Sequence, residues 1–244
     1  MTRQGSAGPE KGYELVDLGD RRVLTVEGRR YETAYSERVV RMLIERKGAR
    51  RAPPYFGYKE TRGRHFLDPL LGYLRRRGAR NLSALEVGCS FGHMTEHLVE
   101  APEIGEIWTF DTDPAFVAIV RTKVEELGLH KVRDVSLFGN DETRRLPYPD
   151  GRFDVVLAIG VVEHLPARNR RAQVDEYYRV LAPGGHIAIL DTPNRLFPFE
   201  THSVGLPLVH WLPPRVAHAY ARTCRPDRYR DVDVLRPVHR SDDG

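Results

Sequence analysis

Apolar positions along this chain recur in two rhythms. Between 82 and 191, short runs rich in Val, Ile, Leu and Phe (83–87, 106–111, 132–138, 153–159 and 185–191) alternate with stretches of helical period at 92–100, 114–127 and 168–181. Continuous apolar runs of this length predict strands buried on both faces. Strand–helix alternation predicts an α/β fold with a doubly wound, mostly parallel sheet, in which ligands gather at the carboxyl ends of the strands.

The flanks follow other patterns. Tyr13, Leu15 and the run Val23–Val26 surround Gly19-Asp20, which predicts a small β-hairpin. Tyr35, Val39, Met42 and Leu43 predict a helix over 31–47, stopped by Gly48. Phe66, Leu70, Leu71 and Leu74 predict a second helix over 63–77, with Pro69 either kinking it or marking its start. After residue 191, a helix is expected at 214–222 and a strand at 231–235, with no sequence left for another strand, so the C-terminus reads as shortened. The expected division is a disordered polar tail (1–12), a hairpin and helices (13–81), an α/β core (82–191) and a C-terminal segment (192–244).

Composition narrows the class. The 244 residues are 41% hydrophobic and 30% charged, an ordinary globular balance. The net charge is +4, and 33 of the 38 basic residues are Arg, clustered at 75–77, 144–145 and 168–171. Such clusters suit nucleic acid or acidic groups, but a solvated helix face is the favoured reading. Cys89 and Cys224 are too few and too far apart for a disulfide framework, which suits a reducing compartment. No apolar leader or membrane-length run is present, so a soluble cytoplasmic protein is expected.

The chemistry gathers around Leu85-Glu86-Val87-Gly88-Cys89-Ser90-Phe91-Gly92. A strand, a glycine turn and a helix start place backbone N–H groups toward a ligand, and glycine lets the backbone approach closely. Asp111 ends the second core strand, 19 residues after Gly92. A carboxylate there accepts from two ribose hydroxyls, which suits NAD as well as other adenosine cofactors. The turn is not Gly-x-Gly-x-x-Gly, however. Glu86 beside it would repel a pyrophosphate and attract a cationic cofactor end.

With these residues in view, 85–191 resembles a class I S-adenosylmethionine-dependent methyltransferase of the small-molecule type. The matching segments are LEVGCSFG, IWTFDTDP, LPYPDGRFDVVLAIGVVEHL and VLAPGG. The resemblance implies a Rossmann-like sheet and S-adenosyl-L-methionine as cofactor. It implies that Glu86, Gly88, Cys89, Ser90 and Gly92 form the methionine end of the site. Asp111 would hold the ribose, with Thr112 beside the adenine. Asp141 and Glu142 would meet the adenine edge, with Asn140 as the alternative contact. Ile159 and Gly160 would line the methyl-transfer point. The aromatic, proline-broken stretch after 191 resembles a substrate-covering insert.

The expected reaction is transfer of a methyl group to a small-molecule acceptor, at a hydroxyl oxygen in preference to nitrogen or carbon. His164 and His202 are the candidate general bases. His164 serves equally well as a residue that orders the helix start. His93-Met94-Thr95-Glu96-His97 has the spacing of some zinc sites, but it starts at the cofactor turn with no third ligand, so no metal is expected. Nucleic acid is disfavoured as a substrate, because the turn after the fourth strand reads Ile159-Gly160-Val161-Val162 and lacks the Asn/Asp-Pro-Pro-aromatic signature. An NAD(P)-dependent oxidoreductase and a non-catalytic cofactor- or RNA-binding relative stay open. The oligomeric state is open, a homodimer included.

Overall fold

The computed structural model describes residues 12–165, 167–192, 197–199 and 204–226. The expected tail (all but Gly12), His202 and the strand expected at 231–235 lie outside the described residues. The chain falls into two compact units, Met1–Leu137 and Phe138–Gly244.

The first unit opens with β1 (Tyr13–Asp17), β2 (Arg22–Val26) and β3 (Arg29–Thr33), an antiparallel sheet in that order. The expected hairpin is therefore joined by a third strand, and the helix expected from residue 31 starts later, as α1 (Glu37–Lys47). The cause is local. Glu27 and Gly28 both have positive φ (51° and 76°), the geometry of a two-residue hairpin turn, and Tyr31 pairs with Leu24. Ser36 then accepts from the Val39 N–H and caps α1, and Gly48 ends it. Val39, Val40, Leu43 and Ile44 of α1 pack with Leu15, Leu24 and Val26 of the sheet.

A 3₁₀ turn (Pro53–Gly57) and a π turn (Lys59–Gly63) lead into α2 (Arg64–Arg76), which contains Pro69 in its interior. Next come β4 (Leu82–Val87), α3 (His93–Glu100), β5 (Ile104–Asp111), α4 (Pro114–Leu127) and β6 (Val132–Leu137). The three strands pair in parallel in the order β6-β5-β4. This is the βαβαβ arrangement the sequence rhythm predicts. α4 has the expected bounds because its signals are local: Asp113 accepts from the Ala115 N–H, Pro114 opens the helix, and Gly128 closes it with φ 62°.

The second unit holds β7 (Phe153–Ile159), α5 (Ala167–Val180) and β8 (Leu181–Leu190), with β7 and β8 parallel. β8 begins earlier than expected. Leu181 pairs with Phe153, the register then breaks, and pairing resumes with Val155 opposite His186. α6 (Pro214–Cys224) packs Ala217 and Ala221 against Val204, Leu206 and Val209. Parallel strands joined by helices make this the doubly wound, Rossmann-like α/β class. No helix among the described residues is long and apolar enough to cross a membrane.

Candidate functional site

In the first unit, β4 delivers Glu86, the turn 88–92 follows, and β5 delivers Asp111. Gly88, Ser90 and Gly92 all have positive φ (74°, 47° and 81°). Gly92 has a second reason to be glycine: a Cβ there would sit 2.9 Å from Cγ2 of Val120. Ser90 adopts the left-handed region without being glycine, and its N–H donates to Oδ2 of Asp111 at 2.8 Å. The N–H groups of Gly88 and Cys89 donate to the carbonyl of Phe110 (2.9 and 3.0 Å), and that of Gly92 to the carbonyl of Cys89 (2.7 Å). Backbone N–H groups facing a ligand were the expectation here, but four of the loop's donors are already engaged internally.

The loop is instead rich in carboxylate. Asp111 also accepts from the Asp113 N–H at 2.9 Å, through its other oxygen. One backbone bond on each oxygen leaves lone pairs for a diol. Burial pushes Asp111 up from its ordinary pKa, opposed by the N–H groups of Asp113 and Ser90. Glu86 is buried and accepts from the Thr95 hydroxyl at 2.5 Å. Burial pushes its pKa up to about 7, with the hydroxyls of Thr95 and Thr109 pulling the other way. The Cys89 side chain turns inward, packing with Val117, Val120 and Val135, and burial raises its thiol well above the ordinary value.

Behind the turn lies a buried polar cluster that the sequence rhythm did not disclose. The Lys123 ammonium, 1% exposed, pairs with Glu96, donates to the carbonyl of Phe91 at 2.8 Å, and lies 3.7 Å from the centre of the Phe91 ring. Tyr35 donates to the same Glu96 at 3.1 Å. His93 is buried beside Tyr58, its Nδ1 has no hydrogen-bond partner, and burial lowers its pKa to about 3, so the ring is neutral. His97 pairs with Asp68 at 2.7 Å, so the His-x-x-Glu-His residues face separate partners.

In the second unit, Asn140, Asp141 and Glu142 form a loop held from beneath by α5. Asn169 donates to Oδ1 of Asp141 at 3.1 Å, and Gln173 donates to the carbonyl of Asn140 at 3.0 Å and to the Thr143 hydroxyl at 2.5 Å. Glu176 accepts from the Leu146 N–H at 2.7 Å. The only trace of this in sequence is that Asn169, Gln173 and Glu176 recur at the spacing of one helix face, a polar stripe on a buried side. Glu142 turns back to accept from the Gly139 N–H at 2.5 Å. Gly160, with φ 66°, ends β7 after Ile159 and donates to the carbonyl of Leu190 at 2.9 Å. His164 is half-exposed on a 3₁₀ turn, its Nε2 3.9 Å from Glu163. Members of the Arg clusters are ion-paired: Arg75 with Glu103, Arg145 with Glu176, and Arg171 with Asp175.

The turn fits S-adenosylmethionine better than a dinucleotide. A pyrophosphate needs unspent N–H donors, and here four of the turn's five N–H groups hold the loop itself together. A buried carboxylate with a raised pKa gains from a cationic neighbour. The orphaned Nδ1 of His93, next to the turn, adds an unspent polar atom.

Residues 85–187 match a family described as a methyltransferase domain. Over 110 residues the chain is 34% identical to a demethylmenaquinone methyltransferase of Thermus thermophilus, covering 45% of this chain and 46% of that protein. It is 33% identical over 111 residues to an ajmaline N-methyltransferase of Rauvolfia serpentina, covering 46% and 36%. A solved structure of an S-adenosylmethionine-dependent methyltransferase from Aquifex aeolicus aligns with a TM-score of 0.44 at 21% identity, covering 59% of this chain and 72% of that one. The chain spans about half or less of the curated relatives it matches.

Proposed function

We propose that this chain, whose residues 85–187 match a methyltransferase domain, is a class I S-adenosylmethionine-dependent methyltransferase that transfers the methyl group of that cofactor to a small-molecule acceptor, at a hydroxyl oxygen. The observation that carries the reading is the turn at 88–92. Four of its five N–H groups are spent on Phe110, Asp111 and Cys89, while Glu86 and Asp111 offer carboxylate. That suits an adenosine cofactor with a cationic end and disfavours NAD(P).

When bound, the cofactor supplies a methyl group already activated by the positive sulfur. The work left to the chain is binding, orientation and proton removal. Glu86 balances the charge of the methionine end. Asp111, fixed by Ser90 and Asp113, accepts from the ribose hydroxyls, with Thr112 beside the adenine. Asn140, Asp141 and Glu142 meet the adenine edge. Ile159 and Gly160 line the transfer point. His164 takes the proton released when a hydroxyl oxygen is methylated, and His202 is the second candidate for that task. The two relatives named above are, by their names, a methyltransferase of demethylmenaquinone and an N-methyltransferase of ajmaline, which supports a small organic acceptor here.

Calorimetric titration with S-adenosylmethionine and with NAD(P), followed by labelled-methyl transfer to a panel of phenols, hydroquinones and amines, tests the reading. The expected result is binding of S-adenosylmethionine alone and release of S-adenosylhomocysteine with a hydroxylated acceptor. NAD(P) binding without a response to S-adenosylmethionine would sink it. Cofactor binding without turnover on any acceptor would favour the non-catalytic alternative.

A further inference from the structure

The buried ammonium of Lys123 has no task among those the proposed function assigns. α4 turns Phe116, Val117, Ile119 and Val120 inward, and Lys123 with them. Taking an ammonium out of water is costly, and a well-packed apolar side chain of similar volume would fill the position without that cost. Burial draws the Lys123 pKa down to about 8, against the pull of Glu96. Its contacts say where the charge is used. It pairs with Glu96 and lies 4.2 Å from the centre of the Tyr35 ring. Two further contacts both go to Phe91: a hydrogen bond to the carbonyl at 2.8 Å and a seat 3.7 Å from the centre of the ring. Tyr35 and Tyr55 meet the same ring edge-on, at 5.2 and 5.8 Å.

Phe91 differs from the other residues of the turn 88–92. The N–H groups of Gly88 and Cys89 are held by the Phe110 carbonyl, that of Ser90 by Asp111 and that of Gly92 by the Cys89 carbonyl. The Phe91 N–H is bonded to none of the described residues, so it is the turn's one donor left for a ligand. Its direction depends on unusual backbone. Ser90 and Gly92, on either side, both stand at positive φ (47° and 81°), and for serine that region is unfavourable. Such a conformation persists only where the surroundings over-determine it. Lys123 does so at Phe91. It holds the carbonyl and the ring at once, while the Gly92 N–H pins the other end of the same peptide unit.

We infer that Lys123 is a positioning residue for cofactor binding: by clamping Phe91 it holds the turn so that the free Phe91 N–H faces the carboxylate of the methionine end of S-adenosylmethionine. The inference rests on the cofactor reading above. Lys123 acts through Phe91 and not on the reacting atoms. In a purely structural role the lysine would serve only to neutralise Glu96.

The two roles separate in Lys123→Met/Glu96→Gln, which removes both charges and leaves no lone carboxylate, but takes the donor away from Phe91. Circular dichroism should show this variant folded. Calorimetry should show its S-adenosylmethionine affinity down by about tenfold or more, with Glu96→Gln alone, which leaves the ammonium on Phe91, within about threefold of wild type. Amide exchange in the free protein needs no cofactor. Gly92 should exchange faster in the double variant, with Gly88 and Cys89 as protected as in wild type. Should the double variant fail to fold, Lys123→Met/Glu96→Met makes the same comparison with an apolar pair. A folded double variant that binds as wild type does, or whose Gly92 exchange is unchanged, overturns the inference and leaves the cofactor reading standing. So does an equal loss in Glu96→Gln, which assigns binding to the ion pair. A wild type that does not bind S-adenosylmethionine overturns the cofactor reading and the inference with it.

Discussion

The backbone N–H of Ser90 donates to the side chain of Asp111 at 2.8 Å, joining the glycine turn after β4 to the end of β5 across 21 residues of sequence. Asp111 is therefore both the ribose ligand of the proposed function and a brace for the turn. Asp111→Ala is expected to weaken S-adenosylmethionine binding more than tenfold, about 1.4 kcal/mol, by calorimetry. Unchanged affinity would show that the ribose is held elsewhere.

The raised pKa of Glu86 makes cofactor binding pH-dependent. Near its value of about 7, Glu86 is partly protonated in the free protein. A cation bound beside it favours the charged form, so binding releases a proton and affinity should rise with pH between 6 and 8. Glu86→Gln should flatten that profile. Folding responds in the opposite direction. An acid whose folded pKa lies above its unfolded value contributes stability that is complete below the unfolded pKa, near 4.5, and lost as pH rises through about 7. Denaturant midpoints of Glu86→Gln should accordingly lose less than wild type between pH 5 and 8.

Gly92 answers to two constraints that a double substitution separates. Gly92→Ala puts a Cβ 2.9 Å from Val120 and forces alanine to φ 81°. A loss of about 2–3 kcal/mol is expected from overpacking and left-handed strain together. Adding Val120→Ala relieves the contact but not the strain. Urea unfolding should therefore show the two substitutions coupled, with Gly92→Ala costing less in the Val120→Ala background. Simple additivity would mean the contact is harmless.

Lys123 and Glu96 should fail together rather than singly. Lys123→Met leaves the Glu96 carboxylate buried without its cation, still accepting from the Tyr35 hydroxyl, a change costing about 3–5 kcal/mol. Lys123→Met/Glu96→Gln should recover much of that in a denaturant titration. A double variant no better than the single one would assign the loss to the Phe91 contacts instead.

Gln173 carries two hydrogen bonds from α5 into the loop at 140–143. Gln173→Leu should cost about 1–3 kcal/mol and speed amide exchange at Thr143 and Arg144 while β7 stays protected. Uniform exchange across the second unit would deny α5 this local role.

How much of this was legible beforehand differs by element. α4 was readable to the residue because Asp113, Pro114 and Gly128 act on their immediate neighbours. β3 was not: among Arg29–Thr33 only Tyr31 is apolar, and what makes the segment a strand is the Glu27-Gly28 turn and its pairing with β2. Glu86 and Asp111 could be named from the order of strand, turn and acid. That their neighbouring N–H groups were already spent could not, since Phe110 and Asp111 reach the turn only across the sheet. Lys123 gave no sign either. Its place in α4 reads as a solvated position until Phe91, Glu96 and Tyr35 close around it.

By itself, then, the sequence determined the strand–helix alternation, the turn and the two carboxylates, because hydrophobic period, caps and glycine geometry act over a few residues. Only the tertiary structure decided which donors are consumed and which charges are buried. Those depend on desolvation and pairing between residues distant in the chain, and no local pattern encodes them.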